Sequence, residues 1–131
     1  MKNKIVFYES LSGNIPVVDF LRGLPAKHHA KAVRNLELLE EFGQFLQGGI
    51  VTHIHEEIWE LRTKFANDIS RILFFTSKRN TFMLLHGFIK KTTKTPQKDI
   101  DIALKRMKEY KRRVSRHENI TRTYKRTVKK S

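Results

Sequence analysis

The sequence predicts an α+β domain, in which an N-terminal strand and two helices precede an antiparallel sheet and a C-terminal helix follows it. The stretch 58–91 predicts the sheet, because three apolar runs are separated there by two short polar breaks. Helical spacing of apolar residues on both sides of this stretch predicts the helices. We expect those helices to cover one face of the sheet and to leave the other face open to water or a ligand.

Before the sheet, Pro and Gly residues delimit one strand and two helices. A loop around Gly13 separates the strand from a helix that Asn14 can cap, and a Gly-Leu-Pro break at 23–25 ends that helix. Gly43 ends the next helix. The expected bounds are Lys4–Tyr8 for the strand, about Pro16–Arg22 for the first helix and about Ala26–Phe42 for the second.

The predicted sheet is a three-strand meander that can begin as early as Val51. Its first strand alternates apolar and polar residues, and the other two are rich in β-branched and aromatic residues. The breaks between them contain turn-forming Asn, Asp and Ser residues. The three strands are expected over Ile58–Arg62, Ile69–Phe75 and Phe82–Ile89.

After the sheet, the Thr-Pro pair at 95–96 predicts the cap and first residue of a C-terminal helix. Its apolar residues recur every three or four positions until about Val114, so one face of this helix needs a partner. The chain beyond that point is basic and lacks an apolar period, so we expect it to fray. The predicted division is a domain over residues 1–113 and a basic C-terminal extension over 114–131.

Positive charge is concentrated in the C-terminal third of the chain. The 131 residues include 27 basic and 13 acidic ones, a formal net charge of +14, and 16 of the basic against 4 of the acidic residues lie in 88–131. A region of this kind favours a polyanionic partner, which can be nucleic acid, an acidic protein or an anionic membrane. A solvated basic tail that serves only solubility is the alternative for the segment after Arg113.

Composition also excludes several classes of protein. The sequence has no cysteine, so it can form neither a disulfide framework nor a thiolate zinc site. Its first residues do not form a signal peptide, and no apolar run approaches the roughly 20 residues of a membrane span. We therefore expect a cytoplasmic protein of one domain that does not contact membranes.

Cationic residues stand in or at the ends of the otherwise apolar strands. They are Arg62, Lys64, Arg71, Lys90 and Lys91. Together they predict a phosphate-binding surface, since Arg offers a planar bidentate fork and Lys a point charge, and neighbouring aromatic residues can stack a base. The alternative is ordinary surface charge, in which Arg62 pairs with Glu60 or Glu57 and Arg71 faces solvent.

Several of these residues stand in motifs of a known family. The chain resembles the HigB branch of the RelE/ParE-like toxins in W-E-L-R at 59–62, R-I-L-F at 71–74, L-L-H-G-F-I-K-K-T at 84–92, T-P at 95–96, and Ala103 with Glu109-Tyr110 in the following helix. The resemblance covers roughly residues 4–113. The chain departs from the pattern in its long basic tail and at Ser70, where the family commonly has an aromatic residue.

This resemblance implies a small RelE-like fold and the toxin of a phage-derived type II toxin–antitoxin system. Such toxins cleave messenger RNA, usually on translating ribosomes, and use neither a metal nor a nucleotide cofactor. The RNA supplies its own nucleophile, the 2′-OH, so the protein has to orient it and stabilise the charge that develops on the phosphate. The implied partners are a HigA-like helix-turn-helix antitoxin in a hetero-oligomer, the ribosome and mRNA, with operator DNA bound only through the antitoxin.

The matched motifs also suggest roles for individual residues. The candidate catalytic residues are Arg62, Arg71, Lys90 and His86, and the candidate RNA-binding residues are Lys64, Phe88, Lys91 and Lys94. His86 is a candidate acid or base because its ordinary pKa is about 6.5, although a histidine among apolar neighbours is more often a core residue. His53, His55 and Glu57 alternate along a strand, which is a weak pattern for a metal site.

Two other functions fit the same residues. A non-catalytic nucleic-acid-binding module needs the charge but not the chemistry, and a degenerate toxin would only bind its partner. The arrangement of Arg62, Arg71 and Lys90 separates a nuclease from a binding module. A nuclease would bring all three within reach of one phosphate, whereas a binding module would spread them along a track.

Overall fold

The chain folds into one five-stranded sheet with helices on both faces. The structure is a computed structural model that describes residues 2–91 and 93–130, and side chains as far as His117. The elements are β1 Lys4–Phe7, α1 Pro16–Arg22, α2 Ala26–Phe42, β2 Val51–His55, β3 Ile58–Phe65, β4 Asp68–Lys78, β5 Thr81–Lys90 and α3 Gln97–Lys130. The predicted α+β class and the order of its elements are confirmed.

The sheet is larger than the predicted meander and is mixed. Its strand order is β1-β5-β4-β3-β2, with antiparallel pairs from β2 to β5 and a parallel pair between β1 and β5. β2 is a separate edge strand. Two of its five residues are His and one is Thr, so its sequence lacks the clear apolar pattern of a strand. β1 lies at the opposite edge, next to β5. The connection through α1 and α2 then crosses one face of the sheet and leads to β2.

Each face of the sheet has its own apolar core. α1 and α2 pack on one face, where Leu39, Leu61 and Phe74 are buried. α3 packs on the other face, against Leu73 and Leu85. The expectation that the helices cover only one face is therefore wrong. The apolar residues of α3 recur at helical spacing and need burial, and the second face of the sheet supplies it.

A β-bulge in β5 determines which side chains face α3. Leu73 of β4 pairs with His86, whereas the next residue, Phe74, pairs with Leu84, so Leu85 has no partner across the ladder. Leu85 packs in the α3 core, and His86 contacts α3 directly. On the opposite face, a Cβ added to Gly87 would lie 2.4 Å from Phe20 Cδ2 of α1, so glycine lets helix and strand approach closely.

The backbone of α3 is helical as far as Lys130. The helix begins at Gln97, one residue later than predicted, and the Thr95 hydroxyl donates to Glu60 instead of capping the helix. The predicted boundary at residue 113 and the predicted fraying of 114–131 stay predictions, since the side chains from 118 onward lie outside the described residues.

Candidate functional site

The strand register gathers most of the predicted site residues on the face that α3 covers. Across the sheet, Arg62 pairs with Arg71 and Arg71 with Phe88. Neighbouring rows hold Lys64, Ile69 and Lys90 on one side and Glu60, Leu73 and His86 on the other. Side chains in such rows project to the same face, so six of the eight predicted residues share it. The other two, Lys91 and Lys94, are exposed in the connection between β5 and α3.

Glu60 is the centre of a buried ion-pair network on this face. Its Oε1 lies 3.1 Å from Arg62 Nε, and its Oε2 lies 3.8 Å from Arg71 Nη1. The Thr95 hydroxyl donates to the same Oε2 and accepts from Arg71 Nη1 at 3.3 Å. The network thus fastens the segment before α3 to the middle of the sheet.

Arg71 is enclosed in this network. No part of its side chain is exposed (0%), and Glu60 and Thr95 contact its guanidinium. Burial lowers the pKa of Arg71, and the charge of Glu60 opposes that shift. The alternative in which Arg71 faces solvent is wrong, because α3 and the segment before it cover this part of the sheet. The phosphate-binding role of Arg71 stays a prediction.

Arg62 lies at the open end of the same network. Its side chain is 28% exposed, and its Nη2 donates to the Thr93 carbonyl at 2.6 Å. It lines a cleft of about 630 Å³ between β2, β3 and the start of α3, together with Lys94, His55 and Gln97. The alternative in which Arg62 pairs with Glu60 is confirmed. That pairing holds the guanidinium at the cleft wall and leaves part of it accessible.

His86 belongs to a second network, beneath α3. Its Nε2 lies 2.8 Å from Asp99 Oδ1 and its Nδ1 lies 3.4 Å from Arg106 Nη1. Because Arg106 can only donate, Nδ1 accepts and the Nε2–H donates to Asp99. Burial lowers the pKa of His86, the bond to Asp99 opposes that shift, and the ring stacks on Phe88 with 5.4 Å between centroids.

This second network continues toward β1. The Tyr8 hydroxyl donates to Glu109 Oε1 at 3.0 Å, and Arg113 Nε lies 2.7 Å from Glu109 Oε2. Burial raises the pKa of Tyr8 and lowers that of Arg106, and the hydrogen bond to Glu109 raises the pKa of Arg113. Asp99 Oδ2 is buried and has no hydrogen-bond partner among the described residues. Charged side chains on the α3 face therefore continue from Arg62 past Asp99 to Glu109 and Arg113.

The lysines form the accessible part of the predicted site. Lys64 is exposed and Lys90 is half-buried, and their strands flank β4, so their Cα atoms are roughly 10 Å apart. Arg62 stands one row away from both. The structure thus brings Arg62, Lys64 and Lys90 to one end of the α3 face, and it separates them from the buried Arg71.

Comparison with known proteins identifies the family. Residues 19–108 match the family described as phage derived protein Gp49-like (DUF891), which is more than half of the chain. The chain belongs to the Gp49-like family. This is a family of toxin-like phage proteins within the RelE/ParE-like toxin superfamily. The family is related to RelE-like endoribonuclease toxins. Membership implies an antitoxin partner in general. A comparison with curated proteins finds no significant match.

The two histidines of β2 have different surroundings in this Gp49-like chain, since His55 lies beside Glu56 and lines the cleft at Arg62. The His53 ring packs at a 45° tilt against Trp59 with 5.0 Å between centroids, and its Nε2 contacts the Glu56 carbonyl. A bulge between His53 and His55 breaks the alternation on which the metal pattern relied. In the described part of the chain, no three His, Asp or Glu side chains are grouped to hold a metal ion. None of the described helices has the length and apolarity needed to span a membrane.

Sequence reasoning gave Glu60 as a partner of Arg62, but it missed the other residues that position the site in this Gp49-like chain. Glu60, Thr95, Asp99 and Arg106 are partners of the predicted residues. A signal for Glu60 was present, since it precedes Arg62 by two residues and therefore shares its face. Asp99 and Arg106 gave no comparable signal, because their partner His86 lies in another element.

Proposed function

We propose that this protein is the toxin of a type II toxin–antitoxin pair, of the HigB kind, and that it cleaves mRNA on translating ribosomes. Membership of a toxin-like family supports the general role. The observation that carries the chemistry is Arg62, whose guanidinium lies at the wall of a cleft and is oriented there by Glu60 and Thr93. An oriented cation beside an accessible cleft is what a developing phosphorane charge requires.

In the proposed reaction, the 2′-oxygen of one nucleotide attacks the adjacent phosphorus and the 5′-oxygen of the next nucleotide leaves. The products are a 2′,3′-cyclic phosphate and a 5′-hydroxyl, so the 2′-OH proton must be removed and the 5′-oxygen must be protonated. Arg62 stabilises the phosphate charge. Lys90, which lies in the next row on the far side of β4 from Arg62, serves proton transfer. No metal is required, since RNA carries the nucleophile.

The remaining predicted residues take supporting roles in this proposal. Lys64, Lys91 and Lys94 are exposed and hold the neighbouring RNA backbone. Arg71 acts through Glu60, whose carboxylate it shares with Arg62, and is therefore a positioning residue. His86 fixes the start of α3 through Asp99, and Phe88 packs against its ring.

The proposed partners are those that a toxin of this kind needs. We propose a HigA-like helix-turn-helix antitoxin that forms a hetero-oligomer with this chain and carries the contact with operator DNA. The ribosome and its mRNA are the proposed targets, which places the protein in the cytoplasm. The family supports an antitoxin partner in general.

One observation favours a second candidate function. Arg71 is fully buried, so in this arrangement the three cations Arg62, Arg71 and Lys90 cannot all reach one phosphate. A non-catalytic nucleic-acid-binding module needs no such convergence. The two functions differ in whether RNA is cut. A degenerate toxin, which would only bind its partner, would not arrest growth.

The test is induced expression without antitoxin of the wild type, Arg62→Ala and Arg62→Lys, with Arg79→Ala as a control at an exposed turn residue. We expect growth arrest and mapped mRNA cleavage with the wild type and with Arg79→Ala. Arg62→Ala should lower the cleavage rate of purified protein on ribosome-bound mRNA by roughly 10²–10³. Arg62→Lys should recover only part of it, because Lys cannot reproduce the planar fork.

Two results would reject parts of this proposal. Equal cleavage by the wild type and Arg62→Ala would remove Arg62 from the mechanism. RNA binding by the wild type without cleavage, on free RNA or on ribosomes, would leave the binding module. Circular dichroism and thermal unfolding of each variant establish that activity, not folding, is compared.

A further inference from the structure

One side of α3 carries a row of basic side chains that point away from the sheet. Lys105, Lys108, Arg112 and Arg116 follow one another at spacings of three, four and four residues, so they lie along one face of the helix. All four are exposed, and the opposite side of α3 packs on the sheet through Ala103 and Met107. These four residues are called the α3 stripe. They span about 16 Å of helix axis.

Among the side chains that the structure describes, no carboxylate forms an ion pair with the α3 stripe. None of its four side chains forms an ion pair or a hydrogen bond within the part of the chain that the structure describes. The cations beside the stripe differ in this respect. Lys111 Nζ lies 2.6 Å from Glu57 Oε2, and Arg113 Nε lies 2.7 Å from Glu109 Oε2. Paired and unpaired cations thus occupy different sides of one helix.

We propose that the α3 stripe binds the sugar-phosphate backbone of RNA, as a surface separate from the cleft at Arg62. Four like charges within about 16 Å repel one another. RNA phosphates would neutralise these charges, and the cations condensed along the RNA backbone would be released on binding. A contact of this kind does not depend on base sequence, because it reaches only the backbone.

A protein partner fits the α3 stripe less well. Stable protein interfaces have an apolar core in which Lys is depleted. The groove beside the stripe is lined by Asp101, Leu104, Lys105, Lys108 and Arg112, of which only Leu104 is apolar, and Leu104 packs partly into the α3 core. The acid, Asp101, accepts a hydrogen bond from Gln97 at 2.9 Å. Charge without an apolar core favours nucleic acid.

The position of the stripe suggests a path for the RNA. Gln97, the first residue of α3, lines the cleft, and Lys105 lies about two turns further along the helix. A strand held by the stripe can therefore continue to the cleft. The inference goes beyond the proposed function, since a chain without nuclease activity would bind RNA through the stripe equally well.

The experiment compares two full-length variants with equal loss of charge. The stripe variant combines Lys105→Gln, Lys108→Gln, Arg112→Gln and Arg116→Gln. The control variant combines Arg22→Gln, Lys27→Gln, Lys78→Gln and Arg79→Gln, which are two Lys and two Arg at exposed positions away from the stripe. The probe is an RNA hairpin with 2′-O-methyl groups at every position, which cannot be cleaved by 2′-OH attack. Its Kd is measured across a series of KCl concentrations.

We expect the stripe variant to bind the hairpin at least about 10-fold more weakly than the wild type at low salt. The plot of the logarithm of the association constant against the logarithm of the salt concentration has a negative slope. Its magnitude should decrease by roughly 2–3, which corresponds to three or four lost phosphate contacts. The control variant should lose less than half as much of either quantity. The uncleavable probe separates this test from the proposed function, because wild-type binding through the stripe without nuclease activity would support this inference alone.

Three results would overturn the inference. Equal losses in both variants would show that only total charge matters. Unchanged binding by the stripe variant would show that RNA does not contact the stripe. Loss of antitoxin binding with unchanged hairpin binding would assign the stripe to a protein partner. Matching thermal unfolding of the variants and the wild type is expected, because none of the replaced residues is buried.

Discussion

The two faces of the sheet bury polar groups of different kinds. On the α1/α2 face, the buried polar side chains are His, Ser, Asn and Thr, which pair by hydrogen bonds, such as His28 with Ser70 at 2.8 Å and Asn35 with Thr63 at 3.0 Å. On the α3 face, the buried groups include a carboxylate and a guanidinium, with Glu60 and Arg71 at the centre. The same strands therefore supply hydrogen-bonded pairs to one layer and an ionic network to the other.

This difference supports the proposal that the functional site lies on the α3 face. A buried neutral hydrogen bond contributes about 0.5–1.5 kcal/mol to stability. A buried ion pair often contributes less than an apolar replacement, because each charge loses its hydration. Stability alone therefore does not explain the network around Glu60. Its accessible end is Arg62 at the cleft, which is where the proposed chemistry takes place.

The largest expected effect on stability comes from the centre of the ionic network. Arg71→Ala should lower the free energy of unfolding by about 3–5 kcal/mol, because Glu60 then loses a buried counter-charge and a cavity forms. Arg62→Ala should lower it by less than Arg71→Ala does, since 28% of the Arg62 side chain is exposed and Arg71 still provides Glu60 with a counter-charge. Urea unfolding of both purified variants measures the difference.

The same pair of variants tests how the proposal divides the roles of the two arginines. If Arg71→Ala were as stable as the wild type but inactive, Arg71 would be a direct phosphate ligand, as the sequence alone suggested. Arg71→Met is the matched variant, because it keeps much of the side-chain volume and removes only the charge. Comparison of Ala with Met at this position separates the cavity from the lost ion pair.

The α1/α2 face should respond to shape more than to charge. Gly87→Ala should lower the free energy of unfolding by about 1–3 kcal/mol, because the new Cβ would lie 2.4 Å from Phe20 Cδ2. Gly23→Ala is the matched control, since its Cβ would meet nothing closer than 3.6 Å, and it should change stability by less than about 0.5 kcal/mol. Thermal or urea unfolding measures both variants.

A double-mutant cycle with Phe20→Ala identifies the contact responsible. Phe20→Ala alone removes packing, but in the Gly87→Ala background it also removes the clash. The second substitution should therefore cost less stability when the first is present. Strictly additive effects would contradict a steric role for Gly87.

Sequence patterns predicted what depends on neighbours along the chain. The alternation in β3 placed Glu60 and Arg62 on one face, and the spacing along β5 placed His86, Phe88 and Lys90 together. They did not predict the cover over Arg71, because Thr95, which contacts its guanidinium, lies in the connection to α3 and is distant in sequence. The β-bulge at Leu85 was also hidden, since it depends on pairing with β4 and not on the residue itself.

The smallest expected effect is the pH dependence of the free energy of unfolding that His86, on the α3 face, contributes. Burial lowers the pKa of His86 below its ordinary 6.5, so below about pH 6.5 the unfolded chain binds more protons than the folded one. The stability that neutral His86 provides is thus present above that pH and is lost as the pH falls toward the folded pKa. Its slope cannot exceed about 1.4 kcal/mol per pH unit.

His86→Gln should therefore flatten the dependence of unfolding free energy on pH between 7.5 and 5.5. Urea unfolding at several pH values measures the slope, which is informative even though the variant also alters the bond to Asp99. Phe74→Leu, on the α1/α2 face, is the control and should lower stability equally at each pH. An unchanged slope in His86→Gln would show that burial beneath α3 does not hold this histidine neutral. The contrast between the two faces would then rest on Glu60 and Arg71 alone.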